Sequence, residues 1–277
     1  MYRGIERALE LSVVVPAYNA SPFLEERLAL LSSFLESSRL DYELIAVDDG
    51  SADSTAAILR NAKFPRFIPV FLPKNRGKYA ALAAGMARTR GDCCLFTDAD
   101  VPYELEAIPY AVSLVNGRGF DLVIGDRNLE GSRYGAELTP VRRAATAAFT
   151  VFVRLFVTSG LFDTQCGFKA FRGEVARRLF PLLREAGFAG DVEACYVSLK
   201  YNLAIRRIPV RLRHQGPSTV RPARDGLSML RALFRIRANH RRGAYASEEL
   251  RRLAAQDYGS PGILTSAAPP PNDAKNP

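Results

Sequence analysis

The sequence has no run approaching roughly 18 uninterrupted apolar residues, so a membrane-crossing helix is not expected. Its opening, MYRGIERALELSVVV, mixes in Arg3, Glu6, Arg7 and Glu10 and lacks the apolar stretch of a secretory signal, so no signal peptide is expected. Cysteine is scarce. Cys93, Cys94, Cys166 and Cys195 form no CxxC pair, and adjacent Cys93 and Cys94 do not readily bridge each other. Reduced thiols and a cytoplasmic compartment are the expectation. Two glycine signatures are also missing: no GxGxxG follows the first strand-like run, and no GxxxxGK[ST] occurs anywhere. A dinucleotide-binding dehydrogenase and a P-loop ATPase are thereby disfavoured. There is no internal repeat.

What is present is a globular composition over 277 residues, 48% apolar and 24% charged, which excludes wholesale disorder. The length allows one large α/β domain or two small ones. The formal net charge is +9, unevenly spread: Arg206 to Arg252 holds 13 Arg against Asp225, Glu248 and Glu249, a local net of +10. The rest of the chain is near neutral. A basic C-terminal third suggests an anionic partner: nucleic acid, a phospholipid surface or a phosphorylated substrate.

Strand-like and helix-like patterns alternate over the first 130 residues. Leu11–Val15, Tyr42–Val47, Ile68–Leu72, Cys93–Phe96 and Asp121–Gly125 read as strands. Ser21 and Pro22 read as the start of a helix carrying Leu24, Leu28, Leu31 and Leu35 on one face. A second helix is expected near Asp53, with Asp53 as its cap, and an Ala-rich third over Lys78–Arg90. This alternation implies an α/β fold with a mostly parallel sheet covered on both faces. Later, Ala204–Val210 reads as an edge strand because Pro209 cannot donate to a ladder, and Leu227–Arg242 as a basic helix. The segment 141–162 is nearly all apolar or small and fits either an interfacial helix or a buried one. The tail 259–277 is Pro-rich and expected to be disordered.

Ligands bind outside the carboxyl ends of strands in open parallel sheets. Three expected strand ends carry polar clusters: Pro16, Ala17, Tyr18 and Asn19; Asp48, Asp49 and Ser51; and Asp98 with Asp100. Converging carboxylates repel, and a hard divalent cation with a diphosphate relieves that repulsion. Arg76, Lys78 and the N-terminus of the Ala-rich helix suit a phosphate.

The segments SVVVPAYN (12–19), ELIAVDDGSADST (43–55), NRGKYAALAAGM (75–86) and TDAD (97–100) together resemble family 2 glycosyltransferases of the GT-A, nucleotide-diphospho-sugar transferase fold. DLVIGDRN (121–128), DTQCGFK (163–169), GDVE (190–193) and GPSTV (216–220) resemble dolichyl-phosphate β-glucosyltransferases and polyprenyl-phosphate relatives. The likeness spans about residues 10 to 240, and DTQCGFK is its most specific part. It implies a metal-dependent enzyme that moves a hexose, with inversion, from a nucleoside-diphosphate sugar to polyprenyl phosphate. UDP-glucose is favoured as donor over GDP-mannose, and a soluble sugar or natural-product acceptor is the alternative.

By that resemblance Pro16, Ala17, Tyr18, Asn19, Asp48, Asp49, Ser51, Arg76, Lys78 and Asp98 bind the donor nucleotide. Asp98 and Asp100 hold Mg²⁺ or Mn²⁺. A sugar-hydroxyl acceptor would need a base, for which Asp191 ranks ahead of Asp163 and Glu193. For Glu193 a plain helix N-terminal charge is an equal reading. A polyprenyl phosphate is already anionic and needs cations instead: Arg127, Arg133, Arg143 and Arg221 are the candidates, with the Ser218 hydroxyl as a further phosphate contact. Two departures stand out. Pro102 replaces the Gln that serves related mannose synthases as a third metal contact, and Ser218-Thr219 stands where Ser-Lys is common. His214 reads as a surface residue.

The expected organisation is a catalytic domain over 1–225, a basic helical extension over 226–258, and the tail. With no membrane span expected, the enzyme is placed at the cytoplasmic face of the membrane as a peripheral protein, with a homodimer left open. Nucleic-acid binding is the distant alternative, since Phe234 and Tyr245 are the only aromatics in the basic run and no zinc or RNA-binding motif accompanies it.

Overall fold

The computed structural model describes residues 9–132, 163–187, 189–213 and 222–255, without the side chains of 222–227. Seven strands form one sheet: β1 (Leu11–Ala17), β2 (Tyr42–Asp48), β3 (Phe67–Phe71), β4 (Cys93–Thr97), β5 (Leu122–Asp126), β6 (Phe168–Arg172) and β7 (Ile205–Pro209). Their order is β3-β2-β1-β4-β6-β5-β7. β3, β2, β1 and β4 are mutually parallel, and so are β5 and β7. β6 runs antiparallel to both of its neighbours, β4 and β5.

The strands β1, β2, β4 and β5 are apolar and buried nearly end to end, as expected of strands covered on both faces. One face packs on α1 (Leu24–Ser37), α2 (Thr55–Asn61) and α4 (Ala107–Val112), with Leu24, Leu28, Leu31 and Leu35 of α1 fully buried there. The other face packs on α3 (Lys78–Met86), α5 (Gly173–Leu179) and α6 (Ala189–Lys200). The basic helix α7 (Pro222–Arg241) and the charge-balanced α8 (Glu248–Ala255) add Leu233, Ile236 and Leu250 to that second core. All four cysteines are buried free thiols.

Several local expectations shift. α1 begins at Leu24, two residues later than Ser21-Pro22 suggests, and its N-cap, Phe23, makes no side-chain cap bond. The Ser21 and Ala20 amides donate instead to Asp53 Oδ2 (3.0 Å) and Thr55 Oγ1 (2.8 Å), tying the β1–α1 loop to the β2–α2 loop. Asp53 does both jobs: Oδ2 braces the two loops, and Oδ1 accepts the amide of Thr55, the first residue of α2 (2.9 Å), while Ser54, at the N-cap position, makes no side-chain cap bond. The Ala-rich helix ends at Met86, and the basic helix starts at Pro222. Pro16 does not end β1. Pairing of β1 with β4 stops at Val14, whereas pairing with β2 continues to Ala17. Pro16 thus sits where β1 has lost its β4 partner, a place that tolerates a missing N–H.

Candidate active site

β1 lies between β2 and β4; the chain passes from β1 to β2 and β3 on one side and then crosses from β3 to β4 on the other, so the strand order reverses beside β1. The crevice beyond the carboxyl ends of these strands is the natural ligand site of such a sheet. Register makes that edge even: Ala17 stands opposite Asp48, and Asp48 opposite Phe71.

The donor-side loops are bound to one another. The Asn19 amide donates to Ser51 Oγ (2.9 Å), and Asn19 Oδ1 accepts from the Ala52 amide (2.9 Å). Asp48 is buried, with Oδ1 accepting from the Ser51 amide (3.1 Å). Asp49 receives the Arg76 amide on one oxygen and the Gly77 amide on the other, both at 2.8 Å. Asp49 therefore shapes the turn that launches α3. Gly77 takes φ +94° there, and a Cβ would lie 2.6 Å from the Ala186 carbonyl oxygen. Tyr18, half exposed at 49%, leaves an open aromatic face at the crevice. Val101, just after the second metal-candidate carboxylate, is held at φ +44°, an uncommon conformation for a β-branched residue and a sign that the loop is over-determined.

At the centre is a chain of alternating charges. Lys78 Nζ donates to Asp98 Oδ1 (2.7 Å) and lies 3.4 Å from Asp191 Oδ2. Asp191 Oδ1 receives the Tyr79 hydroxyl (2.9 Å) and the ammonium of Lys169 (2.5 Å), which also donates to the Cys166 carbonyl (2.8 Å). Lys169 is completely buried. Both ammoniums lie over the Phe96 ring, at 5.5 and 5.4 Å from its centroid, which adds a favourable cation–π contact. Burial alone would raise the Asp191 carboxyl, but Lys169 and Lys78 outweigh it and hold it below the ordinary range. Burial alone would likewise lower Lys78, and Asp191 and Asp98 raise it instead.

β6 explains why these residues meet. Antiparallel pairing sets Thr97 opposite Phe168 and Phe96 opposite Lys169, so Asp98 emerges beside Gly167. A Cβ on residue 167 would fall 1.8 Å from Asp98 Oδ2. Glycine at that point of DTQCGFK is what lets the Asp98 carboxylate occupy its place.

The other candidate bases sit apart from this cluster. Asp163 is locked to Arg127, which donates through Nε (2.7 Å), Nη2 (2.8 Å) and its amide (2.9 Å). The candidate base and candidate acceptor clamp thus neutralise each other. Glu193 is fully buried; Oε2 accepts the Arg184 and Glu185 amides (both 2.8 Å), and Oε1 accepts the Tyr245 hydroxyl (2.5 Å). It is a strut joining the α5–α6 loop to the α7–α8 turn. Glu193→Gln should lower stability by about 1–3 kcal/mol in chemical denaturation while sparing transfer activity per folded molecule. Arg133, Arg143, Ser218, Arg221, His214 and the 141–162 segment lie outside the described residues, as does the 259–277 tail. Among the described residues no helix is long and apolar enough to cross a membrane.

Residues 12–180 match Glycosyl transferase family 2. A dolichyl-phosphate beta-glucosyltransferase of Dictyostelium discoideum is 34% identical over 85% of this chain and 76% of its own length. The chain belongs to glycosyl transferase family 2. A second relative, the dolichyl-phosphate beta-glucosyltransferase of Homo sapiens, is 30% identical over 88% of the transferase and 80% of its own length. Among solved structures, glucosyl-3-phosphoglycerate synthase of Mycobacterium tuberculosis, crystallised with Mn²⁺, UDP and phosphoglyceric acid, superposes with TM-score 0.61. It is 22% identical, covering 84% of the transferase and 78% of that chain. Mannosyl-3-phosphoglycerate synthase of Rubrobacter xylanophilus superposes with TM-score 0.62 at 19% identity, covering 91% and 79%. These neighbours show the GT-A fold.

Three participants in the central cluster were given no role by sequence reasoning: Tyr79, Gly167 and Lys169. Lys169 and Gly167 stand inside the most specific motif, and that specificity was the available signal. Nothing in Tyr79, one apolar-looking position of an Ala-rich helix, sets it apart.

Proposed function

We propose that the transferase moves glucose from UDP-glucose to a dolichyl-type polyprenyl phosphate at a membrane surface. The observation that carries the acceptor is the state of the three carboxylates available as bases. Asp163 is neutralised by Arg127, Asp191 by Lys169 and Lys78, and Glu193 is fixed by two amides and a hydroxyl. A sugar hydroxyl would need one of them to take a proton. A phosphate monoester needs none, because its second ionisation, at about pH 6, already makes it a dianionic nucleophile near neutrality. The names of the relatives support glucose as the group moved and dolichyl phosphate as its acceptor.

In this reading the crevice divides the work. Tyr18, Asn19, Asp48 and Ser51 face the nucleoside, and Lys78 at the start of α3 faces the diphosphate. Asp98 and Asp100 offer two hard carboxylate oxygens, and among the described residues no third His, Cys, Asp or Glu joins them. That donor set fits Mg²⁺ or Mn²⁺, ions that take their remaining oxygens from phosphate and water. Bound there, the cation would neutralise charge on the departing nucleoside diphosphate. The acceptor phosphate displaces that diphosphate in line and inverts the anomeric centre. Asp191, held ionised, keeps Lys78 directed at the donor side.

Transfer of labelled glucose from UDP-glucose to a short polyprenyl phosphate, with GDP-mannose and a soluble sugar as competitors and with chelator as control, tests this directly. Activity should need added Mn²⁺ or Mg²⁺, and its acid limb should lie near pH 6, where the acceptor's second proton is lost. Transfer to a free sugar but not to the lipid phosphate would remove the acceptor. Chelator-insensitive transfer would remove the metal.

A further inference from the structure

Lys78 occupies an unusual position for a residue that is to grip a phosphate. Its ammonium sits on Asp98, 2.7 Å from Oδ1, while the other oxygen of Asp98 is wedged against Gly167. A divalent cation approaching Asp98 therefore meets a positive charge already in place, and like charges at that range oppose each other strongly in a partly buried site. Lys78 also has somewhere else to go without leaving a buried charge behind. Asp191, its second partner at 3.4 Å, keeps the Lys169 ammonium and the Tyr79 hydroxyl when Lys78 moves. Asp98 is the more open of the two carboxylates, with its side chain 37% exposed against 3% for Asp191. The Phe96 ring lies under the Lys78 ammonium and gives it a surface to pivot on.

We infer that Lys78 stands in for the divalent cation on Asp98 in the donor-free enzyme and passes to the diphosphate as the donor enters, so that metal and nucleotide bind together. The diphosphate supplies the negative charge that lets the ammonium and a divalent cation share one site. Metal alone must displace the lysine, whereas metal with nucleotide gives it a new partner. The coupling is reciprocal, as any linkage between two ligands must be. This rests on the metal-dependent donor site proposed above, and it assigns Lys78 a role in the order of binding.

The test reads metal binding and needs no turnover. Mn²⁺ binding to the full chain is followed by loss of the electron paramagnetic resonance signal of the aqueous ion, with and without UDP, after subtraction of the loss that UDP causes in a protein-free titration. Wild type should bind Mn²⁺ weakly alone and about tenfold or more tightly with UDP, a typical coupling. Lys78→Met should bind Mn²⁺ alone roughly tenfold more tightly than wild type, and the UDP enhancement, left to the phosphate oxygens alone, should shrink by about the same factor. Lys78→Arg, which keeps the charge, should behave like wild type. Should the methionine variant not fold, Lys78→Gln repeats the test with a polar, uncharged side chain. A neutral variant that binds Mn²⁺ no more tightly than wild type, with the UDP enhancement intact, overturns the inference and leaves the donor site standing. Wild type that binds no Mn²⁺ even with UDP overturns both.

Discussion

Replacing Gly167 with alanine should leave the transferase folded and remove most of its activity. The strand pairing of Thr97 with Phe168 brings residue 167 against the Asp98 carboxylate, and the added methyl would lie 1.8 Å from Oδ2. No backbone atom stands in that gap; its nearest occupants are the Asp98 carboxylate atoms, which can swing aside. Gly167 is not in the left-handed region, so alanine introduces no backbone strain. The cost falls on the position of Asp98. A displacement of about an ångström at a positioned group typically lowers rate by about 100-fold, and Asp98 carries both the Lys78 contact and the proposed metal. Stability should change by less than about 1 kcal/mol. Steady-state transfer and a thermal melt on the same preparation check both halves. A normal rate would mean that Asp98 does not act from this position.

Lys169→Met should be the most destabilising single change in the site, by about 3–5 kcal/mol, because it strips a buried pair of one partner. Lys169 is completely buried, so water cannot replace it at the 2.5 Å contact with Asp191. Lys78, at 3.4 Å and partly engaged by Asp98, is a poor substitute. The double variant with Asp191→Asn should cost less than the two single changes added together, since both act on one pair. pH offers an independent check. The Asp191 carboxyl is held below its ordinary value by Lys169 first and Lys78 second, against burial. Its contribution is therefore present above the unfolded value of about 3.9 and lost as pH falls through the lower folded one. Lys169→Met should flatten that acid-side loss, measured as unfolding midpoint against pH.

The parallel half of the sheet was legible because each of its strands is a short apolar run ended by a polar cluster, and register then aligned those clusters. Boundaries slipped where tertiary contacts overrode local chemistry. Ser21-Pro22 carries a helix-start signal, yet the Ser21 amide is taken by Asp53 across a loop. β6 was not legible at all. Phe168–Arg172 holds a lysine and an arginine in five residues, and only its position between β4 and β5 makes it a strand. With β6 unseen, the roles of Gly167 and Lys169 were unseen too. Asp191, ranked first as a base, is held by Lys169, Tyr79 and Lys78, and Asp163 and Glu193 depend on partners 36 and 52 residues away, none of which a local pattern discloses.

The place of β6 also sets the order in which the enzyme is completed. The strands β3, β2, β1 and β4 are complete in the chain by Thr97, and they carry the loops proposed to hold the nucleoside. β5 has no partner among them and must wait for β6 and β7, both later in the chain. Until then β4 presents an open edge, a surface prone to pairing with other chains. Long-range pairing of this kind is slow to form, and the half-built sheet is exposed during synthesis. The catalytic cluster lies on the seam that closes at that step, because Asp98 stands on one side of it and Gly167 and Lys169 on the other. Asp98, Gly167 and Lys169 therefore meet only once this seam has closed, and the helix bearing Asp191 and strand β7 are still to be added after it.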